Sequence, residues 1–348
     1  MQTVYLGMSG GVDSSVSAVL LREQGYRVIG VYMKNWSRDL PGMKCPWADD
    51  LADAKRIAVK LDIDFEVWDF ETEYRDRVVS YMLDEFSKGR TPNPDIMCNE
   101  EIKFKLFYDI AREKGADFIA TGHYAQTDGT HLLKALDANK DQTYFLYRIS
   151  EDAIAHTIFP IGHMKKPDVK KLAADRGLNN AYKKESMGVC FVGEVGMKDF
   201  LKEFLPESVR SGEIRDIRTE KVLGYHEGAI FYTLGQRHGL YLGGGLPYYV
   251  VKKDLEQNIV YVSSDLNDAN LWTTSLDLED VIIRGDDTLT DIDVRLRHRA
   301  PLIPAKLKKP AKLKNNQVIF AKPIKRPASG QSVVFYNGNI CIGGGIIR

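Results

Sequence analysis

A proline-rich stretch at residues 90–104, RTPNPDIMCNEEIKF, combines residue types that could carry out nucleophilic chemistry. Asp95 and Cys98 lie three positions apart, so one helical turn would place a carboxylate and a thiol on the same face. A thiolate is a strong nucleophile when its pKa is lowered, and a nearby carboxylate can transfer protons. Pro92 and Pro94 restrict the backbone and would hold these groups in fixed positions. Spacing alone leaves open a second interpretation, in which the stretch is a rigid connector with one buried cysteine.

A second cysteine, Cys190 in ESMGVCF, becomes significant if the fold brings it near Cys98. Two neighbouring thiols could form a redox pair or pass sulfur from one to the other, whereas a lone cysteine is by default a small buried hydrophobic residue. Cys45 and Cys341 are interpreted as structural. The four cysteines are widely separated and form no CxxC pair, so neither a zinc site nor a disulfide scaffold is predicted.

Residues 9–14, SGGVDS, have the composition of a phosphate-binding loop. They follow the apolar run TVYLGM and precede a helical pattern, which places them at a helix N-terminus, where unpaired N–H groups and the helix dipole attract anions. Gly10 and Gly11 allow the backbone to approach anionic oxygens closely. The Walker sequence GxxxxGK[ST] is absent, and no GxGxxG follows a strand. The loop predicts that the first half of the chain is an ATP-using α/β domain.

Four short apolar runs alternate with helical patterns in this first half. The runs TVYLGM, RVIGVYM, DFEVWDF and ADFIATG predict buried strands, and the segments between them carry apolar residues at helical spacing. This alternation predicts a doubly wound parallel sheet with helices on both faces, which binds ligands at the carboxyl ends of its strands.

The pattern changes after about Asn180. One short helix, MKDFLKEFLP, is followed by glycine-rich β segments, and from Leu271 onward the sequence predicts only short strands and turns. We therefore expect an N-terminal domain at residues 1–197, a small central mixed or β domain at residues 198–268, and a C-terminal antiparallel β-barrel at residues 269–348.

Charge is distributed unevenly along the chain. Twelve of the 48 Lys and Arg residues lie between Val294 and Arg348, a stretch without any Asp or Glu, although the whole chain has 48 acidic residues. A surface without anions does not repel phosphate, so this end of the chain is predicted to bind nucleic acid, with a merely solubilising basic surface as the alternative.

The hydropathy pattern gives an expectation for localisation. No apolar run approaches the roughly 20 residues of a membrane-spanning helix. The first residues, MQTVYLGMSGG, lack the pattern of a targeting leader, so we expect a cytoplasmic protein without membrane contact.

The loop SGGVDS resembles the signature of the PP-loop ATP pyrophosphatases, which cleave ATP between its α and β phosphates and activate a substrate oxygen by adenylation. A longer set of motifs narrows the resemblance and runs over essentially the whole chain: GMSGGVDSS, TPNPDIMCN with IKF, ATGHYA, KDQTYFLY, MGVCF and TLGQRHGL. Together they resemble the bacterial tRNA-specific 2-thiouridylases, which place sulfur on C2 of the wobble uridine of tRNA.

The resemblance implies a role for each matching residue. The ATP site would consist of Gly7, Met8, Ser9, Gly10, Gly11, Val12, Asp13, Ser14, Met33 and Gly122. The tRNA contacts would come from Asn93, Pro94 and Asp95 at the target base, and from His123, Lys140, Asp141, Gln142, Arg297, His298 and Gln331 elsewhere. Asp95 would act as acid or base, Cys98 as the nucleophile, and Cys190 as the carrier of a persulfide. His123 could instead only end a strand, and Arg297 could be a solvated basic residue.

The implied reaction uses ATP with Mg²⁺ to transfer AMP to the C2 oxygen of the uridine, while the loop retains pyrophosphate. A persulfide on Cys190 would then attack C2, and Cys98 would resolve it, leaving a Cys98–Cys190 disulfide and giving 2-thiouridine, AMP and pyrophosphate. The partners would be the anticodon stem-loop of a tRNA, from which the base must flip out, and a sulfur-donor protein, either a relay protein or a cysteine desulfurase.

Two other functions are compatible with the loop. Another PP-loop ligase, such as an amidotransferase-type synthetase, would act on a small metabolite, and the anion-free C-terminal segment argues against it. An ATP-dependent RNA-binding protein with inert cysteines would use the loop and the basic segment. It would not explain why the PNPD sequence, Cys98 and Cys190 occur together.

Overall fold

The predicted strands of the first half form a parallel sheet in the computed structural model, which describes residues 1–39, 45–183, 196–243, 245, 247–286, 288–308 and 316–348. The strands up to residue 183 are β1 (Thr3–Gly7), β2 (Arg27–Lys34), β3 (Asp64–Asp69), β4 (Phe118–Thr121), β5 (Gln126–Thr127), β6 (Leu132–Leu133) and β7 (Thr157–Ile158). The sheet has the order β3-β2-β1-β4-β7 with parallel pairing throughout. The strand order reverses between β1 and β4, so the ends of these two strands form the switch point where such sheets bind ligands.

Both faces of this sheet are covered by apolar side chains, because alternate residues of a strand point to opposite faces. Tyr5 and Ile29 belong to one hydrophobic cluster, whereas Val4, Leu6 and Val28 belong to another. Strands that are buried on both faces appear in a sequence as continuous apolar runs. This explains why the sequence pattern located β1 and β2.

The helices around this sheet agree with the predicted helical segments and contain two features that periodicity did not predict. They are α1 (Val12–Glu23), α2 (Trp47–Lys60), α3 (Glu71–Tyr74), α4 (Ser80–Ser87), α5 (Pro94–Met97), α6 (Phe107–Glu113), α7 (Thr143–Leu146), α8 (Glu151–Ala155) and α9 (Lys166–Asp175). π-Helical stretches, Arg75–Val79 and Cys98–Leu106, join α3 to α4 and α5 to α6. Wider turns of this kind occur frequently at functional sites, and the second one begins at Cys98.

The second sheet follows one short helix and has mixed pairing. Its elements are α10 (Met197–Phe204), β8 (Gly212–Asp216), β9 (Val222–His226), β10 (Tyr249–Asp254) and β11 (Ile259–Ser263). The order is β10-β11-β8-β9, with β8 and β11 parallel and the other pairs antiparallel. Ile214, Val250 and Val260 are fully buried in its core.

The C-terminal strands close into an antiparallel barrel. They are β12 (Trp272–Ile283), β13 (Asp291–Arg295), β14 (Ile303–Lys308), β15 (Asn316–Lys325), β16 (Ser332–Asn337) and β17 (Ile340–Ile347). The order β12-β15-β14-β13-β16-β17 is closed by pairing between β12 and β17. A parallel α/β sheet, a small mixed sheet and an antiparallel barrel therefore confirm the predicted fold class. The boundaries at residues 197 and 268 remain predictions.

The barrel is joined to the first part of the chain by pairing and by a buried ion pair. Strand β6 pairs with β17, which extends the barrel sheet with the β5–β6 hairpin. Arg295 Nη1 lies 2.6 Å from Asp141 Oδ2, and both side chains are buried. Arg284 donates hydrogen bonds to the carbonyls of Tyr147 and Ile149. These contacts fix the barrel against the residues that follow β4. No helix within the described ranges is long and apolar enough to cross a membrane.

The buried ion pair gives a prediction about stability. Replacing Asp141 by alanine leaves the Arg295 cation buried without its partner, which costs about 3–5 kcal/mol in comparable cases. We expect Asp141→Ala to lower the midpoint of thermal unfolding by several degrees, measured by circular dichroism. Lys171→Ala, which removes an exposed pair with Asp175, serves as the control and should leave the midpoint essentially unchanged. Equal midpoints for both variants would contradict a structural role for the buried pair.

Candidate active site

The loop between β1 and α1 has the geometry of an anion site. Gly10 adopts a φ of 73°, and a Cβ there would collide with the backbone carbonyl of Asp50. Helix α1 begins after Gly11, and no side chain in the described part of the chain caps it. Its first N–H groups are therefore available to a bound anion. Ser14 and Ser15 both donate hydrogen bonds to the Gly11 carbonyl, which fixes the turn.

Two residues predicted to bind adenosine lie against this loop. A Cβ on Gly122, just after β4, would lie 2.7 Å from the backbone nitrogen of Ser14. Only glycine permits this approach, because the atom in the way belongs to the backbone. The methyl carbon of Met33 comes within 2.8 Å of the position that a Cβ on Gly7 would occupy. The carboxyl ends of β1, β2 and β4 therefore meet at one point, as the predicted ATP site requires.

The sequence interpretation missed Lys166, the first residue of α9. Its Nζ lies 2.7 Å from Asp13 Oδ1 and 2.8 Å from Asp13 Oδ2, and its side chain is 8% exposed. The Tyr124 hydroxyl also donates to Asp13, at 3.0 Å. Asp13 is thus held in place by a buried cation beside the phosphate loop. A lysine followed by proline at a helix start, KKPDV, was the available sequence signal.

The stretch with the predicted nucleophile folds into a short helix that continues as a π helix. The Asn93 side chain accepts a hydrogen bond from the Ile96 N–H and so caps α5. The helix begins at Pro94, a position where proline is favoured. Asp95 lies in α5, and Cys98, which is 3% exposed, is the first residue of the wider turn. Burial raises the pKa of the Asp95 carboxyl, and the positive charge of Lys103 opposes this shift.

His123 connects this stretch to the phosphate loop. It directly follows Gly122, its ring lies 5.8 Å from that of Phe104, and its Nδ1 lies 2.8 Å from Thr121 Oγ1. Burial, together with the charge of Lys103, lowers the pKa of His123, so the ring is neutral near pH 7. The positive charge of Lys103 lowers the pKa of both Asp95 and His123, an influence that the sequence interpretation did not anticipate.

Some of the residues predicted to contact tRNA make contacts inside the protein, and others are exposed to solvent. Asp141 and Gln142 are occupied within the protein: Asp141 is 1% exposed and paired with Arg295, and Gln142 accepts a hydrogen bond from the Tyr124 N–H. Lys140 is partly exposed, and Arg297 is exposed. Lys140 and Arg297 are thus accessible to solvent. The Asp141 carboxylate instead points into the protein, where its ion pair with Arg295 attaches the barrel to the residues after β4.

Gln331 and His298, which are also predicted tRNA contacts, connect the barrel to the stretch with Cys98. Gln331 Nε2 donates a 2.7 Å hydrogen bond to the Thr91 carbonyl, and the Thr91 N–H donates to the Ser329 carbonyl. The His298 ring lies 4.6 Å from that of Phe145, whose carbonyl accepts a hydrogen bond from Asn99. Burial lowers the pKa of His298 to about 4, and its Nδ1 has no hydrogen-bond partner among the described residues. These residues position the segment around Cys98.

The remaining cysteines differ in what the structure describes. Cys190 lies outside the described residues, so its approach to Cys98 stays a prediction. Cys45 and Cys341 are buried, and burial raises the pKa of both thiols, that of Cys341 to about 11. A buried thiol with a raised pKa is a poor nucleophile, which agrees with their structural interpretation.

A phosphate loop at the switch point of a doubly wound sheet, followed by a small mixed sheet and a barrel, defines a nucleotide-binding α/β protein with two added β units. Three family models match successive parts of the chain. Residues 2–194 match the tRNA methyl transferase HUP domain, residues 198–264 the tRNA methyl transferase PRC-barrel domain, and residues 279–347 the aminomethyltransferase beta-barrel domain.

Curated relatives identify the family more closely. The tRNA-specific 2-thiouridylase of Idiomarina loihiensis is 46% identical, and the alignment covers 99% of this chain and 95% of that protein. Proteins of the same name from Streptococcus thermophilus and Listeria monocytogenes are each 45% identical over 99% of this chain and 94% of theirs. The chain belongs to the tRNA-specific 2-thiouridylase family, which confirms the resemblance seen in the motifs and the prediction of an enzyme of this type.

The close approach at Gly122 gives a prediction for nucleotide binding. In Gly122→Ala the new Cβ meets the Ser14 backbone and displaces the phosphate loop. We expect the affinity for a non-hydrolysable ATP analogue to fall at least about tenfold in isothermal titration calorimetry, which corresponds to about 1.4 kcal/mol. Gly243→Ala, where no atom of the residues that the structure describes lies within 4 Å of the added Cβ, is the matched control. Unchanged affinity in Gly122→Ala would show that the nucleotide binds elsewhere.

Proposed function

We propose that this protein uses ATP to replace the C2 oxygen of the wobble uridine of tRNA by sulfur. The observation that carries the proposal is a continuous set of contacts from the phosphate loop to the predicted nucleophile. Ser14 contacts Gly122, His123 packs against Phe104, and Phe104 lies in the π-helical turn that begins at Cys98. The names of the relatives support the choice of tRNA and of thiolation.

The first proposed step activates the uridine. Its C2 oxygen attacks the α-phosphorus of ATP, the bond from that phosphorus to the bridging oxygen of the β-phosphate breaks, and pyrophosphate leaves. The N–H groups at the start of α1 and the Lys166 cation beside Asp13 would hold the negative charge of the pyrophosphate. The C2 oxygen thereby becomes part of a good leaving group, AMP.

The second step introduces sulfur. The terminal sulfur of a Cys190 persulfide attacks C2, and AMP leaves with the original oxygen. The Cys98 thiolate then attacks the Cys190 sulfur, breaks the persulfide bond and leaves sulfur on C2. The transferred sulfur gains two electrons, and the two cysteines lose two as they form a disulfide. An external dithiol must reduce this disulfide, and a sulfur-donor protein, either a relay protein or a cysteine desulfurase, must renew the persulfide.

Asp95 is suited to proton transfer in this scheme. Its raised pKa, caused by burial, moves the carboxyl toward the range in which it can both give and accept a proton near neutral pH. Its neighbour Asn93 would contact the base, together with Pro94. The neutral His123 ring can donate or accept a hydrogen bond without bringing a second positive charge beside Lys103.

Mg²⁺ is proposed as part of the ATP substrate. The described residues include no group of three or more His, Cys, Asp or Glu side chains that could hold a metal ion. In the loop, both oxygens of Asp13 already accept hydrogen bonds from Lys166. Mg²⁺ commonly binds through phosphates and retained water with one or two carboxylates.

The remaining proposed tRNA contacts are Lys140, Arg297, His298 and Gln331. Cytoplasmic localisation is likewise proposed.

The two-cysteine mechanism gives the central prediction. We expect Cys98→Ser and Cys190→Ser each to abolish formation of 2-thiouridine, measured by mass spectrometry of digested tRNA, while tRNA-dependent ATP–pyrophosphate exchange persists because the first step needs no thiol. Cys45→Ala is the control and should retain thiolation.

The same assays separate the alternatives. Full thiolation by either serine variant would rule out the two-cysteine mechanism. Exchange that proceeds equally well without tRNA would favour a ligase of small metabolites. Binding of tRNA with neither exchange nor product would favour a non-catalytic RNA-binding protein.

A further inference from the structure

The motif TLGQRHGL belongs to the second sheet and has no part in the proposed chemistry. The motif occupies residues 233–240, between Phe231 and β10. Most of it lies in a loop at residues 235–243, and most residues of this loop are exposed. From Gly228 to Lys253 the sequence contains one Arg, two Lys and one His but neither Asp nor Glu. Arg237 and Lys252 are exposed, whereas Lys253 is partly buried. Exposed cations in a segment without anions are compatible with a polyanionic partner.

Tyr241 in this loop has an unusual conformation. Its φ is 49°, in the left-handed region that a bulky side chain rarely adopts, and its side chain is 97% exposed. Burial of a tyrosine ring against the core would offset the free-energy cost of this backbone strain. The Tyr241 ring, however, is almost entirely in solvent. Backbone strain without a packing reason is characteristic of residues kept for function.

The base of the loop is rigid and lies beside the stretch that leads to Cys98. Thr233 Oγ1 lies 3.3 Å from Thr91 Oγ1, and the Thr233 N–H donates to Gln236 Oε1. Gln236 Nε2 in turn donates to the His238 carbonyl. Arg237 follows Thr233 by four residues, so their Cα atoms are within about 14 Å of each other. The Tyr232 hydroxyl lies 3.5 Å from the carbonyl oxygen of Gly239, two residues before Tyr241, which places the loop close to this base.

A cleft separates the loop's base from the predicted base-binding residues. It has a volume of about 380 Å³ and is lined by Asn93 and Pro94 on one side and by Phe231 and Thr233 on the other, with Lys198 at its border. A volume in this range accommodates a small ligand such as a nucleoside. Lys198 and Lys202 both form ion pairs with Glu227. Thr233, two residues before the loop, lines this cleft together with Asn93, so the loop begins next to the cleft.

We propose that the loop at residues 235–243 binds the unpaired anticodon nucleotides next to the target uridine, with a base stacked on Tyr241 and a phosphate neutralised by Arg237. The inference rests on the proposed function, because it takes tRNA as the substrate. Single-stranded RNA is recognised by stacking of bases on aromatic rings and by cations along its backbone. Holding the flanking nucleotides apart would also help to keep the target base out of its stack.

The test uses full-length protein and an anticodon stem-loop RNA, with affinity measured by fluorescence anisotropy at several salt concentrations. Tyr241→Gly removes the ring and relieves the strained φ, so it should weaken binding about tenfold while the midpoint of thermal unfolding stays equal or rises. Tyr241→Phe keeps the ring and should bind within about twofold of the parent protein. Tyr225→Ala removes a tyrosine that is 70% exposed on β9 of the same sheet and should leave affinity unchanged.

Arg237→Ala tests the phosphate contact separately. It should weaken binding and reduce the slope of log affinity against log salt concentration by about 0.7, the value for one contact to single-stranded nucleic acid. In thiolation assays Tyr241→Gly should raise KM for the RNA while leaving kcat within about twofold, because the ring binds substrate and does not touch the reacting atoms.

The outcomes distinguish this inference from the proposed function. Parent-like affinity of Tyr241→Gly, or an equal loss in Tyr225→Ala, would overturn the inference even if thiolation proceeds. A parent protein that binds the RNA through Tyr241 but forms no 2-thiouridine would leave the binding surface intact and overturn the proposed function.

Discussion

Gly122, the residue that follows Thr121 at the end of β4, approaches the first turn of α1 so closely that no side chain fits between them. Gly122 faces the backbone of Ser14, where an added Cβ would lie 2.7 Å from the nitrogen. This contact arises because β1 and β4 are parallel neighbours at the switch point of the sheet. It places the phosphate loop directly beside His123. His123 in turn lies against the Phe104 ring, and Phe104 belongs to the π-helical turn that begins at Cys98.

The barrel contributes to the candidate site from a distance in sequence. Thr91, just before the predicted base-binding residues, is held through both its N–H and its carbonyl by Ser329 and Gln331. The buried Asp141–Arg295 pair fixes the same barrel to the residues after β4. A rigid barrel that binds RNA on its basic surface would therefore also set the position of the segment with Cys98. Gln331, which is proposed as a tRNA contact, therefore also positions this segment.

Burial determines the protonation of the groups around the π-helical turn. It raises the pKa of the Asp95 carboxyl and lowers the pKa of the His123 ring, so both are driven toward their neutral forms. Lys103 opposes the first shift and reinforces the second.

The sequence alone determined the parallel sheet, the phosphate loop, the stretch with Asp95 and Cys98, and the family, because these depend on local patterns: apolar runs, glycines before a helix, and motifs of fixed spacing. It did not reveal Lys166, which meets Asp13 across 153 positions, nor the π-helical turn at Cys98, which departs from the helical period. It predicted Asp141 as a tRNA contact, which stays a prediction, and it did not indicate that this carboxylate is buried against Arg295. The strain at Tyr241 was equally hidden, since φ is set by the loop as a whole. Long-range partners and backbone strain are properties of the packed chain, and only the tertiary structure decides them.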